Sequence, residues 1–201
     1  MAEVQKHAFI FENWVKKILG VDHLASNYTQ KWDVPGEIPV SVKFMGLTNA
    51  VEFGSTVRIW QINQSFTLVI GRWKQINSQK VVVSIDEITI NLSHLKKMKG
   101  NITLEEVEDF DKKIKLFSPG PEGQVKAILF AKEWKKQRKD RMGLLTITHK
   151  IDSKTQRRIQ CNLNFKNYFK LFGIPNKNPE FRGHIFVDTI DHEPRKFNKK
   201  L

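Results

Sequence analysis

Two β-branched runs in the middle of the chain, FTLVIGRW at 66–73 and KVVVSIDEITI at 80–90, constrain its fold more than any other feature. Val, Ile and Thr lose rotamer freedom in helices and pack well on a pleated surface, so runs of this kind require strand neighbours. A polar loop at 74–79 separates the two runs, and the rest of the chain must be built around the sheet they begin. Ahead of them, Ala8, Phe11, Val15, Ile18 and Leu19 recur at helical spacing, which predicts an amphipathic helix over 7–19 ended by Gly20. Glu12 falls at the edge of that apolar stripe. YTQKWDV at 28–34 and IPVSVKFM at 38–45 read as strands on either side of the turn signal Pro35-Gly36.

Further along, the pattern predicts short helices over 54–63 and 166–172, and a charged helix over 103–116. After the break at Ser118-Pro119-Gly120-Pro121 a long basic helix is expected over 122–142. LLTITHKI at 144–151 and TQRRIQCNLNF at 155–165 read as a β-hairpin turning near Asp152-Ser153, and HIFVDTI at 184–190 as a last strand before a basic tail at 197–201. The expected fold class is α+β: a mixed central sheet flanked by helices over 1–117, with a basic helix and hairpin over 118–201 belonging to the same domain.

Charge narrows the function. The formal net charge is +13, from 34 Lys and Arg against 21 Asp and Glu. Residues 1–111 hold 12 basic and 13 acidic side chains, and residues 112–201 hold 22 and 8, so the whole excess lies in the second half. Each cation that neutralises a phosphate releases condensed counterions, so a half of this kind suits a polyanion. No apolar run approaches the roughly 20 residues of a membrane span, no signal-peptide core opens the chain, and no lipidation motif is present, so no membrane partner is expected. Cys161 is the single cysteine; a disulfide framework within one chain is excluded, and the cytoplasm is the expected compartment.

Three segments carry chemistry. In the first, Trp32-Asp33 is followed after the turn by Ser41-Val42-Lys43. Strand alternation sets Ser41 and Lys43 on one face and Val42 on the other, and a hairpin brings Asp33 close. A carboxylate beside a lysine on a sheet edge can bind a divalent cation and orient water for attack on phosphorus, and magnesium suits a site with few carboxylates. This pattern resembles the PD-(D/E)xK nuclease fold of type II restriction endonucleases over about residues 7–90. The resemblance implies Mg2+-dependent, sequence-specific cleavage of double-stranded DNA by a homodimer, with no small-molecule cofactor. It makes Glu12 and Asp33 metal ligands and Lys43 the catalytic lysine. Ser41 stands where the family has a second carboxylate, so the motif reads D…S-x-K; Glu12 or Glu37 supplies the missing charge, or Ser41 holds a water of the metal.

In the second segment, Lys154, Gln156, Arg158, Gln160, Asn162 and Asn164 share one strand face, while Ile159, Cys161, Leu163 and Phe165 share the other with Arg157 at its start. A two-stranded ribbon fits the major groove, where Arg pairs with guanine and Gln or Asn with adenine. Lys154, Gln156, Arg157, Arg158 and Gln160 are therefore the expected DNA contacts of the hairpin. In the third, Lys135, Arg138 and Lys139 of the basic helix are expected to grip phosphates. Gln75, just past a central strand, is read as a structural amide, and the six histidines lack metal-ligand spacing. The competing expectation is a non-catalytic nucleic-acid-binding protein, RNA or DNA, which keeps the charge argument and discards the metal site.

Overall fold

A computed structural model describes residues 3–25, 31–187 and 190–191. In chain order the elements are α1 (Glu3–Ile18), β1 (Val40–Gly46), β2 (Val51–Ser55), α2 (Thr56–Trp60), β3 (Phe66–Ile76), β4 (Gln79–Ile90), α3 (Leu92–Lys99) and α4 (Leu104–Lys115). There follow α5 (Pro121–Gln137), β5 (Leu145–Ile151), β6 (Arg157–Leu163), α6 (Phe165–Phe172), β7 (Glu180–Phe181), β8 (His184–Ile185) and β9 (Ile190–Asp191). The fold is α+β with a mixed sheet and flanking helices, as expected. No helix among the described residues is long and apolar enough to cross a membrane.

The chain separates into two compact units, and the division runs across the boundary expected at 117. The first comprises 1–49, 66–89 and 174–201; the second comprises 50–65 and 90–173. The first unit holds a sheet of order β1-β3-β4-β9, in which β1 runs parallel to β3 and β9 antiparallel to β4. The β-branched runs at its centre form β3 and β4, longer than expected because Asn77 takes a left-handed φ of 52° and closes a two-residue turn where a six-residue loop was expected. Phe11 and Val15 of α1 pack with Val40, Val42, Val69, Val82 and Ile85. Gly71 admits this packing, because a Cβ there would lie 2.6 Å from Phe11 Cζ. The expected strand 28–34 falls partly outside the described residues; within them 31–34 makes a single bridge, Val34 to Val40, since Pro35 and Pro39 cannot donate to a ladder. The expected strand 184–190 is reduced to the two-residue pieces β8 and β9, with 188–189 outside the described residues, as is the 197–201 tail.

The second unit is a three-stranded antiparallel sheet of order β2-β6-β5. Its apolar face, with Ile147, Ile159, Cys161 and Leu163 buried, packs against α2, α4 and α5. Between the helices, Phe110 of α4 and Trp134 of α5 stack with centroids 4.2 Å apart and planes 5° from parallel. The basic helix ends at Gln137, earlier than expected, and 139–141 form a separate 3-10 turn. Two elements of this unit were not anticipated. One is β2, whose alternation is short; the other is α3, although Asn91 caps its start and Gly100 its end. Gly100 has φ +68°, and a Cβ there would sit 2.4 Å from Arg141 O, so both conformation and space require glycine.

Candidate functional site

Within the first unit, β1 is the edge strand of its sheet, so one side of its backbone is open. Asp33 fills that side. Its Oδ2 accepts the Val42 N–H at 2.6 Å and the Ser41 hydroxyl at 3.3 Å, while Asp33 N–H donates to Val40 O at 3.0 Å. Lys43 Nζ stands 3.7 Å from the same Oδ2 and donates to Val42 O at 3.1 Å. Asp33 and Lys43 keep 23% and 24% of their side-chain surface open, so the pair remains accessible to solvent. Asp33, Ser41 and Lys43 are thus brought together, through a loop wrapped over a strand edge where the sequence suggested a hairpin.

Glu12 sits differently. Val42 belongs to the cluster containing Phe11 and Val15, so α1 covers the Val42 face of β1, whereas alternation turns Ser41 and Lys43 to the other. The Glu12 carboxylate is buried on that helix and pairs with Lys16 Nζ at 2.7 Å; Lys16 also donates to Leu24 O at 3.2 Å. Among the described residues no group of three or more His, Cys, Asp and Glu side chains is placed to hold a metal ion. Asp33 by itself fits a weakly held magnesium: all its hydrogen bonds from the described residues fall on Oδ2, leaving Oδ1 open, and magnesium commonly binds one or two carboxylates with waters and substrate phosphates. Glu37 is exposed on the same loop. Gln75 is a structural amide, donating to Asn77 O at 2.7 Å across the β3–β4 turn.

Sequence reasoning missed a further charged pair in this unit. Arg72 of β3 is fully buried and lies 3.5 Å from Asp86 Oδ2 on β4. Asp86 Oδ1 accepts the Asn176 N–H at 2.6 Å, and Arg72 Nη1 donates to Leu47 O at 3.3 Å. An acid inside the apolar run VVVSIDEITI was the signal available.

In the second unit the hairpin face is narrower along the strand than expected and wider across it. The strand β6 covers only 157–163, and Lys154 and Gln156 lie in its turn, where their N–H groups both donate to Asp152 Oδ1 at 2.9 Å. Asn164 caps α6 by accepting the Asn167 N–H at 2.8 Å. Arg157 is buried on the apolar side, donating to the carbonyls of Asp152, Gln156 and Ser118, the last at 2.9 Å. That is the side on which strand alternation set it, and its guanidinium, expected to contact DNA, is instead taken up by these carbonyls. What remains on the β6 face is Arg158, Gln160 and Asn162, and the register sets Lys150, Thr148 and Thr146 of β5 opposite them. Arg158 is exposed and has no ion-pair partner among the described residues.

Just past the end of the basic helix, Arg138 is a clamp. Its guanidinium lies 4.5 Å from the Trp134 ring centroid, and its Nε donates to Glu106 Oε1 at 3.0 Å. Arg141 reaches the same carboxylate at 2.7 Å. These donors, with Arg141 the strongest, hold the Glu106 carboxyl down to about 2. Lys135 is half-buried; burial and then Lys132 push its ammonium below the ordinary lysine value. The same burial, with Lys135 and Lys132, pushes the His149 imidazole down. Lys139 is exposed.

Comparison with protein-family models, with curated proteins and with solved structures finds no match to this chain.

Proposed function

We propose that the protein is a magnesium-dependent endonuclease of double-stranded DNA, a type II restriction enzyme in its chemistry. The observation that carries this reading is the convergence of Asp33, Ser41 and Lys43 on the open edge of β1, with Asp33 Oδ1 free of hydrogen bonds from the described residues. Asp33 would hold the ion and Ser41 would orient Asp33 by donating to its Oδ2. When bound, magnesium supplies charge neutralisation at the scissile phosphate and a more acidic water. Lys43, a quarter exposed, would stabilise the negative charge that develops on the phosphoryl oxygens. Glu12 is assigned no catalytic part, because it is paired with Lys16 on the helix side of β1. The second unit, with 20 Lys and Arg against 10 Asp and Glu, supplies the attraction for the phosphate backbone. A two-fold dimer acting on palindromic sites in the cytoplasm, beside a protecting modification, completes the reading.

One observation favours a second reading, a nucleic-acid-binding protein without catalysis. Asp33 meets the unpaired Val42 N–H of an edge strand, which is a sufficient structural reason for its position. Plasmid digestion separates the two. Discrete fragments formed with magnesium, absent with EDTA and absent for Lys43→Ala are the expected result, with a loss of rate of at least a hundredfold in the variant. Intact plasmid across several DNAs, together with salt-sensitive gel shifts, would leave the binding protein and discard the catalytic site.

A further inference from the structure

The expected DNA-reading element was a two-stranded ribbon, whereas the structure makes it two-thirds of a three-stranded sheet. β2 pairs along the other side of β6, setting Glu52 opposite Asn162. Glu52 is exposed between the buried Val51 and Phe53, so it points to the same side as Arg158, Gln160 and Asn162. The apolar face takes α2, α4 and α5, and the polar face is left with side chains that hydrogen-bond. The outer strands of three lie about 10 Å apart, close to the roughly 12 Å width of the major groove.

A carboxylate is out of place on a surface that only grips phosphate. It repels the backbone, in a unit whose net charge, Glu52 included, is +10. Its chemistry is that of an acceptor with no donor, and the base edge that matches is the exocyclic amine of cytosine. The neighbours complement it: Arg158 matches the two acceptors of guanine, while Gln160 and Asn162 match the acceptor-donor pair of adenine. Partial burial raises the Glu52 carboxyl, and Lys150 of β5, the register partner of Arg158 on β6, opposes that rise.

We infer that the whole polar face of the β2-β6-β5 sheet reads duplex DNA in the major groove, with Glu52 the specificity-determining contact to a cytosine amine. The inference rests on the nucleic-acid reading above and goes beyond it by adding β2 to the interface. Selection of bound duplexes from a random library, in EDTA so that nothing is cut, tests it. The full chain should enrich a site containing a C·G pair. Glu52→Gln should move one selected position from cytosine towards adenine and weaken binding to the original site about tenfold, because the amide reads adenine. Glu52→Ala should flatten that position and tighten binding to random duplex, through lost repulsion, while Arg158→Ala should flatten a different position. If the wild type selects a motif and Glu52→Gln selects the same one with unchanged affinity, the assignment of Glu52 fails while DNA binding stands. If the wild type retains no duplex, or only single-stranded RNA, both the assignment and the DNA reading fail.

Discussion

At the residue scale, the arrangement of charge decides which side chains are tools and which are fasteners. Glu106 is a fastener. It closes a capping box with Thr103 at the start of α4 and accepts from both Arg138 and Arg141. Its carboxyl, lowered from the ordinary 4.5 to about 2 in the folded chain, binds its proton more readily when unfolded. A depressed folded value means that its contribution is fully present above about 4.5 and is lost as the pH falls towards 2. Glu106→Gln should therefore cost about 1–2 kcal/mol at pH 7, discounted for partial exposure, and progressively less below pH 4. Urea denaturation at a series of pH values checks this; a cost that stays constant down to pH 2 would show that the ion pairs contribute nothing. Legibility divides along the same line. Asp33, Ser41 and Lys43 could be read from sequence because a turn and strand alternation, both local, bring them together. The Glu12–Lys16 pair, at i,i+4 on one helix, is legible on the same local ground. The partners of Arg157 and Arg72 were not legible, since Ser118 O and Leu47 O, which receive these guanidiniums, lie 39 and 25 residues away in sequence.

At the element scale, the strand pair β3–β4 and the helices with strong periodicity were legible, and their ends were not. α5 stops at Gln137 because Arg138 leaves helical geometry, at φ −112° and ψ 8°, to stack on Trp134 and meet Glu106. No local stop signal marks that point; Gly143, the available glycine, instead packs with its Cβ position 2.4 Å from Met98 O. The way α1 seats on its sheet depends on a different glycine. Phe11 lies over Gly71 and stacks on Phe44, the register neighbour of Gly71, with centroids 5.1 Å apart. A methyl group at 71 would enter the ring, and the ring is fully buried with little room to retreat. Gly71→Ala should cost about 2–3 kcal/mol in thermal or urea unfolding. Combining it with Phe11→Leu should recover part of the loss, since the smaller side chain vacates the ring's place. Additive costs in the double variant would mean that α1 does not seat on Gly71.

At the scale of the whole molecule, the count of cations overstates the charge available to a polyanion. Of the net +13, the second unit carries +10, yet several of its lysines are already matched. Lys113 pairs with Asp109 at 2.8 Å and Lys126 with Glu122 at 2.6 Å, each one helical turn apart. Lys139 and Lys154 are exposed and have no carboxylate partner among the described residues. A lysine releases counterions from DNA only if its charge is not cancelled beside it, so two classes of surface lysine should separate in one measurement. In the dependence of duplex affinity on salt, Lys139→Gln and Lys154→Gln should each make the log–log slope shallower by about one. Lys113→Gln should leave it nearly unchanged, because the local field of Lys113 is already offset by Asp109. Equal effects from the three substitutions would mean that binding follows net charge alone, as on a diffuse basic surface. Effects confined to Lys139 and Lys154 would mean that the phosphate backbone follows a defined track over the second unit, which is what the reading of a fixed base sequence requires.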